Sequence, residues 1–164
     1  MKWLRRALLP LLLSLSIALL AAAPAHAEKL GTRPNWGACG VSTSEQKMVY
    51  DFGGINLRCG NNRWGYRHIK DGGSGEDGHY DDFQNLARPA GLNWSDLVHW
   101  AIYYNTKDPD HVVVDQNTGC RDRLLYAQDG NGRQVWQQRF RMIYNATDGR
   151  VITVYPTSGT CQRQ

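Results

Sequence analysis

Arg139 and Arg141 stand two residues apart in the run Arg133 to Tyr144, and Thr153 and Tyr155 stand two apart in the run Arg150 to Tyr155. In a strand, residues two apart share a face. Two guanidiniums, a hydroxyl and a phenol on one sheet face suit a phosphodiester. Guanidinium forks match phosphate oxygens and stabilise the negative charge that grows when phosphorus is attacked. The same four side chains also make an ordinary solvent-facing sheet surface of the kind that resists edge pairing. The second constellation is Gly65-Tyr66-Arg67-His68-Ile69-Lys70. Imidazole is the side chain whose charge changes near neutral pH, so His68 is the first candidate for general base or acid. Lys70 shares its face if the segment is extended. A base and a fixed cation are what attack by a ribose 2′-hydroxyl needs, because the 2′-oxygen loses a proton while the phosphorane gains charge. His79 is the second candidate, brought near His68 if the intervening glycine-rich loop folds back. His99, on a helix surface away from its apolar stripe, and His111, at a strand start, are weaker ones. Tyr66, Trp64, Trp100 and Tyr103 offer rings for base stacking, although core packing uses such rings as well.

The elements that must position these residues follow from the pattern. Ser42-Thr43-Ser44-Glu45-Gln46 has capping-box spacing twice over and predicts a short helix to about Phe52, ended by Gly53-Gly54. Trp64 to Lys70 reads as extended. A helix is expected over Tyr80 to Ala87, stopping before Pro89. The clearest helix runs from Trp94 to about Lys107, capped by Asn93, with Trp94, Leu97, Val98, Ala101 and Tyr104 as its buried stripe. The rest is strand-like. His111 to Asp115 carries three valines and predicts a buried strand. Arg121 to Ala127 follows, then the Asp129-Gly130-Asn131-Gly132 turn and the two runs already named. A three-residue Thr147-Asp148-Gly149 loop pairs Tyr144 with Ile152, Met142 with Val154 and Arg141 with Tyr155. It gathers Trp136, Phe140, Met142, Tyr144, Ile152 and Val154 on one core face. A four-residue loop before it sets Gln128 against Arg133 and Cys120 against Arg141. Helices first and an antiparallel meander second predict an α+β fold, with N-terminal helices packed on a four-stranded sheet.

Composition limits the function. Met1 to Ala27 has a basic head, an apolar middle and an Ala-His-Ala end, and reads as a secretory signal peptide. Removing its three basic residues leaves 16 basic against 15 acidic ones, so net charge does not support a globally basic nucleic-acid binder. The charges are unevenly spread, basic over 28 to 70, acidic over 71 to 115 and basic again beyond, so a local positive patch remains possible. Cys39, Cys59, Cys120 and Cys161 all lie in the expected exported part, which argues for two disulfides. Of the three possible pairings, Cys39–Cys59 would clamp the first helix between its ends. Six residues from Tyr155 to Cys161 span about 20 Å, enough to return to Cys120. No zinc signature, EF-hand spacing, phosphate loop or nucleophile elbow is present, and no metal or other cofactor is expected.

The order of elements, the Gly65-x-Arg67-His68-Ile69 segment and the terminal Asp148-Gly149-Arg150-Val151-Ile152-Thr153-Val154-Tyr155-Pro156 stretch resemble the barnase/EndoU/colicin/RelE-like ribonuclease superfamily. The resemblance covers roughly Gly65 to Pro156. It implies helices before a four-stranded antiparallel sheet and RNA cleavage without metal. It implies His68 as base or acid, Lys70 or Arg141 as phosphate-stabilising cations, and Thr153 and Tyr155 as positioning hydroxyls. His79, Tyr66 and Arg139 would then bind substrate. The domain reading is a signal peptide over 1–27, an arm and short helix over 28–62, and a ribonuclease-like core over 63–164, folded together as one unit. The expected protein is a secreted monomeric endoribonuclease that could serve as an antibacterial or other toxin, giving a 2′,3′-cyclic phosphate, with RNA and a cognate immunity or inhibitor protein as partners and no membrane attachment once the signal is cleaved. The alternative is a secreted noncatalytic module that binds a protein or carbohydrate.

Overall fold

A computed structural model describes residues 30–73 and 75–162. The expected signal peptide lies outside the described residues. Among those described, no helix is long and apolar enough to cross a membrane.

The centre is a four-stranded antiparallel meander in the order β5 (His111–Asp115), β6 (Thr118–Gln128), β7 (Gln134–Asn145), β8 (Val151–Thr157). Before it come β1 (Met48–Asp51), β2 (Asn56–Arg58), α1 (Gly65–Asp71), the two-residue strands β3 (Gly72–Gly73) and β4 (Glu76–Asp77), α2 (Tyr80–Ala87) and α3 (Trp94–Lys107). The α+β class and the four-stranded sheet agree with the sequence. Among the described residues, however, the β1–β2 hairpin precedes the first helix.

Residues 42–52, expected as a helix, form turns and the first strand of a hairpin. The Ser and Thr side chains serve those turns instead of a helix cap: Thr43 Oγ1 accepts from Gly40 N at 2.9 Å, and Ser44 Oγ accepts from Gln46 N at 3.3 Å. Gly53-Gly54 turns the hairpin, both amides donating to Asp51 Oδ1. The Cys39–Cys59 bridge then ties the arm to the end of β2.

Trp64 to Lys70, expected as extended, contributes to α1. Its single buried turn, Gly65 and Ile69, is too short to show helical periodicity in sequence. Arg67 fastens this helix to the arm, its guanidinium donating to the carbonyls of Gly60, Gly40 and Thr43.

α2 and α3 appear as expected. Asn93 and Asp96 form a full capping box at the start of α3. Leu97, Val98, Ala101 and Ile102 of α3 are buried with Phe83 and Ala87 of α2 against Leu125, Ala127, Phe140, Met142, Val151 and Val154 of the sheet. Phe83 stacks on Phe140 at 5.5 Å between centroids.

The register near the last turn contains a correction. Met142↔Val154 and Arg141↔Tyr155 pair as expected, but a bulge sets Tyr144 opposite Val151. Val151 therefore enters the core and Ile152 is only half-buried. The β6–β7 register differs by two residues from expectation, because a bulge at Ala127/Gln128 sets Gln128 against Gln134. Asp122, not Cys120, opposes Arg141, and Cys120 opposes Ile143. A shift of two preserves the faces, so Arg139 and Arg141 still point away from the helices. β5 is also an edge and not a buried strand: Val112 and Val114 are half exposed.

Candidate active site

The face turned away from α2 and α3 carries one unbroken cross-strand row. His111 opposes Asp122, Asp122 opposes Arg141, and Arg141 opposes Tyr155. Directly opposed residues in adjacent strands point to the same side. At strand spacing of about 4.8 Å the row measures roughly 14 Å from β5 to β8. His79, at the start of α2, continues it: its ring stacks on Tyr155 with centroids 5.2 Å apart and planes 26° apart.

His79 is held there through α1. Its backbone N–H donates to the carbonyl of Ile69 at 2.8 Å, and Gly72–Gly73 pairs with Glu76–Asp77. The glycine-rich loop thus folds back as the sequence reading required, and brings the start of α2 to the residue that follows His68. Gly78 lets the loop close, since a Cβ there would strike the backbone of Lys70 and Gly72. The His79 Nδ1 lies 3.2 Å from Asp82 Oδ2, which orients the ring. α1 packs along β8. Two polar atoms of these elements are buried with no partner: Nδ1 of His68 and Oγ1 of Thr153. Such unpaired buried groups are costly.

Lys70 diverges from His68. On a helix, positions two apart point in nearly opposite directions. Lys70 pairs with exposed Asp71 at 3.3 Å and lines a recess of about 490 Å³ with Tyr66, Arg67, Asn61, Asn62 and the arm around Cys39. The shared face expected of an extended segment is therefore absent. Tyr66 is also placed structurally. Its ring lies 6.1 Å from Trp36 and 5.5 Å from Trp94, and burial raises its phenol above the ordinary value. Trp64 is buried beneath the Arg150 guanidinium, 4.4 Å from its ring.

Arg139 is committed to carboxylates. It donates to Asp110 Oδ2 at 2.7 Å and to Asp122 Oδ1. Burial opposes its charge, but these hydrogen bonds prevail and raise its pKa. Asp110 also takes Arg123 at 2.8 Å and the Leu124 amide at 2.9 Å. Burial would raise the Asp110 carboxyl; the Leu124 amide and the arginines outweigh it and hold it low. Asp122 is fully buried and serves three groups: Arg139, the His111 Nδ1 at 2.9 Å and the Cys161 amide at 2.6 Å. This His–Asp–Arg cluster was missed in the sequence. The available signal was an aspartate in the middle of a strand, where a carboxylate needs partners.

Arg141 is partly engaged. Its Nη2 donates to the Thr160 carbonyl at 2.8 Å, while its Nε is buried without an acceptor. His99, expected on a helix surface, is 2 % exposed. It accepts from Trp36 Nε1 at 3.3 Å amid the rings of Tyr50, Phe52, Trp100 and Tyr103. Burial, aided by Arg33, lowers it to about 4. His99, Trp100 and Tyr103 are thus packing residues.

The expected site residues therefore divide. His79, Tyr155 and Arg141 share one row, with Thr153 two residues along β8 and His68 on the helix packed against that strand. Lys70, Tyr66 and Arg139 are engaged elsewhere. Both expected disulfides, Cys39–Cys59 and Cys120–Cys161, are present, and they are compatible with an exported protein.

No family model matches the chain. No solved structure matches it either. It is similar to two proteins described as uncharacterized from Mycobacterium tuberculosis, one from strain CDC 1551 / Oshkosh and one from strain ATCC 25618 / H37Rv. Each is 28% identical over 100 residues, covering 61% of this chain and 35% of the relative. The chain thus spans about a third of the length of the curated relatives it matches.

Proposed function

We propose that the protein is a secreted, metal-independent endoribonuclease that leaves a 2′,3′-cyclic phosphate. The observation that carries this reading is the stack of His79 on Tyr155 beside Arg141, with His68 one residue before the carbonyl that anchors His79. Two imidazoles near one hydroxyl-bearing strand supply the acid and the base that transesterification requires. In the step, one imidazole takes the proton of the ribose 2′-hydroxyl as its oxygen bonds to the adjacent phosphorus. The phosphorus–O5′ bond breaks, and the second imidazole protonates the leaving oxygen. Arg141 faces the charge that develops on the phosphoryl oxygens. Tyr155 and Thr153 position the substrate.

Such an enzyme would act on RNA as a monomer and would call for an immunity or inhibitor protein wherever active enzyme meets the producer's own RNA, as a toxin does. The test is cleavage of a fluorescent mixed-sequence RNA by the folded protein, both with the Cys120–Cys161 bond intact and with it removed by Cys120→Ser/Cys161→Ser, with and without EDTA, beside His68→Ala in each form. The expected result is EDTA-resistant cleavage that the substitution reduces about 10²-fold or more, with an unchanged circular dichroism spectrum. Failure of both folded forms to cleave RNA leaves the noncatalytic binding module as the better reading.

A further inference from the structure

The segment after β8 does not leave the sheet. It turns back across the face that bears the row His111–Asp122–Arg141–Tyr155, and two hydrogen bonds and a disulfide fix it there. The Thr160 carbonyl accepts from Arg141 Nη2 at 2.8 Å, and the Cys161 amide donates to Asp122 Oδ2 at 2.6 Å. Gly159 lies so close to Arg141 that a Cβ there would sit 2.9 Å from its Nη2. Cys161 is bonded to Cys120, itself on this face of β6. Asp122 is fully buried on the sheet face turned away from α2 and α3, and this segment lies over it.

The segment satisfies Arg141 incompletely. A guanidinium offers five N–H donors in a planar fork suited to the paired oxygens of a phosphate. Here a single neutral carbonyl answers Nη2, and the Nε donor is buried with no acceptor. That arrangement costs free energy, and an oxyanion would remove the cost by accepting from two guanidinium nitrogens at once. The Thr160 carbonyl stands where a phosphate oxygen would be expected.

We propose that residues 158–162 form a redox-latched strap that occupies the anion position of Arg141, and that opening the Cys120–Cys161 bond frees that position for a phosphate group. The RNA-directed part of this inference rests on the ribonuclease reading; the anion-gating part does not. The opening reaction uses a dithiol reductant. Its thiolate attacks one sulfur of the bond, a mixed disulfide forms, and its second thiol resolves it. The dithiol gives up two electrons and leaves as a disulfide, and Cys120 and Cys161 leave as thiols with two protons taken up. Without the bond, the strap is held by two hydrogen bonds, a partly buried one to Arg141 and a buried one to Asp122, and the ordering entropy of five residues opposes them.

The experiment compares the wild-type protein with Cys120→Ser/Cys161→Ser, which leaves Cys39–Cys59 intact. Three quantities are measured on each: amide hydrogen exchange in 158–162, affinity for inorganic phosphate, and RNA cleavage. The expected result is faster exchange in the strap and phosphate affinity raised about tenfold, with the gain abolished when Arg141→Ala is added. Faster exchange without any gain in phosphate affinity would show a staple and overturn the proposal. So would unchanged exchange, since the bond would then not be the latch. A phosphate gain dependent on Arg141 in a protein that cuts no RNA supports the strap and refutes the ribonuclease reading alone. Should the double variant lose its fold, Cys120→Val in a chain ending at Thr157 removes bond and strap together, and its phosphate affinity decides in the same way.

Discussion

The two ends of the cross-strand row use similar residues to opposite effect. At the β5 end, His111, Asp122, Arg139, Asp110 and Arg123 pair with one another; each guanidinium meets a carboxylate, and the buried carboxylate of Asp122 meets three partners, although the Arg123 Nε is itself buried without an acceptor. At the β8 end, His79 stacks on Tyr155, Arg141 keeps an unanswered Nε, and the His68 Nδ1 and Thr153 Oγ1 are buried without partners. Guanidiniums paired with carboxylates hold a structure together. A guanidinium answered only by a neutral carbonyl keeps its charge available to an anion. The presence of histidine and arginine therefore says less about function than whether their charges are already paired.

The sharpest way to break this comparison is to remove one histidine from each end. His79→Ala should slow RNA cleavage about 10²–10⁴-fold with little loss of stability, whereas His111→Ala should leave the rate within about twofold and lower the urea midpoint. Equal rate losses would make both ends catalytic and erase the distinction. Next in size is Asp122→Ala. It takes away one of the two carboxylates of Arg139 and leaves both His111 and the buried Cys161 amide without their acceptor, so a loss of about 3–5 kcal/mol is expected in urea denaturation. A loss below about 1 kcal/mol would mean the β5 cluster is not structural.

A third test uses His99 as a reference for a histidine enclosed by packing. Its value is about 4 in the fold against 6.5 for an unperturbed histidine. Between those values the unfolded chain binds more protons than the folded one, so this residue's contribution to stability is full above about pH 6.5 and is lost as the pH falls toward 4. The expected loss is on the order of 2–3 kcal/mol. His99→Phe should flatten the stability profile between pH 6.5 and 5, where few carboxylates titrate; an unchanged slope would place the proton elsewhere.

What could be read from the sequence was what local chemistry decides. The Asn93–Asp96 capping box, the apolar stripe of α3, the Met142–Val154 register and the two disulfide pairings each depend on short spacings or on a hairpin turn. What escaped was decided by distant neighbours. Ser42 to Phe52 carries helix-start chemistry, but the Cys39–Cys59 bridge and the Gly53-Gly54 turn make it part of a hairpin. His68 and Lys70 part company because a seven-residue helix replaces an extended segment. The ring enclosure of His99 is assembled from Trp36, Tyr50 and Phe52, which lie more than forty residues earlier. The acidic partners of Arg139 come from Asp110 and from an adjacent strand whose register moved by two.

The disulfides join neighbours in sequence order, Cys39 to Cys59 and Cys120 to Cys161, across separations of 20 and 41 residues. For a chain that emerges N-terminus first into an oxidising space, this order removes choice. When Cys59 arrives, Cys39 is the sole thiol waiting. When Cys120 arrives, both earlier sulfurs are already bonded, so it remains single until Cys161 appears. Vectorial delivery by itself thus selects the native pairing from three, and any treatment that fully reduces the protein and lets it reoxidise as a whole discards that selection.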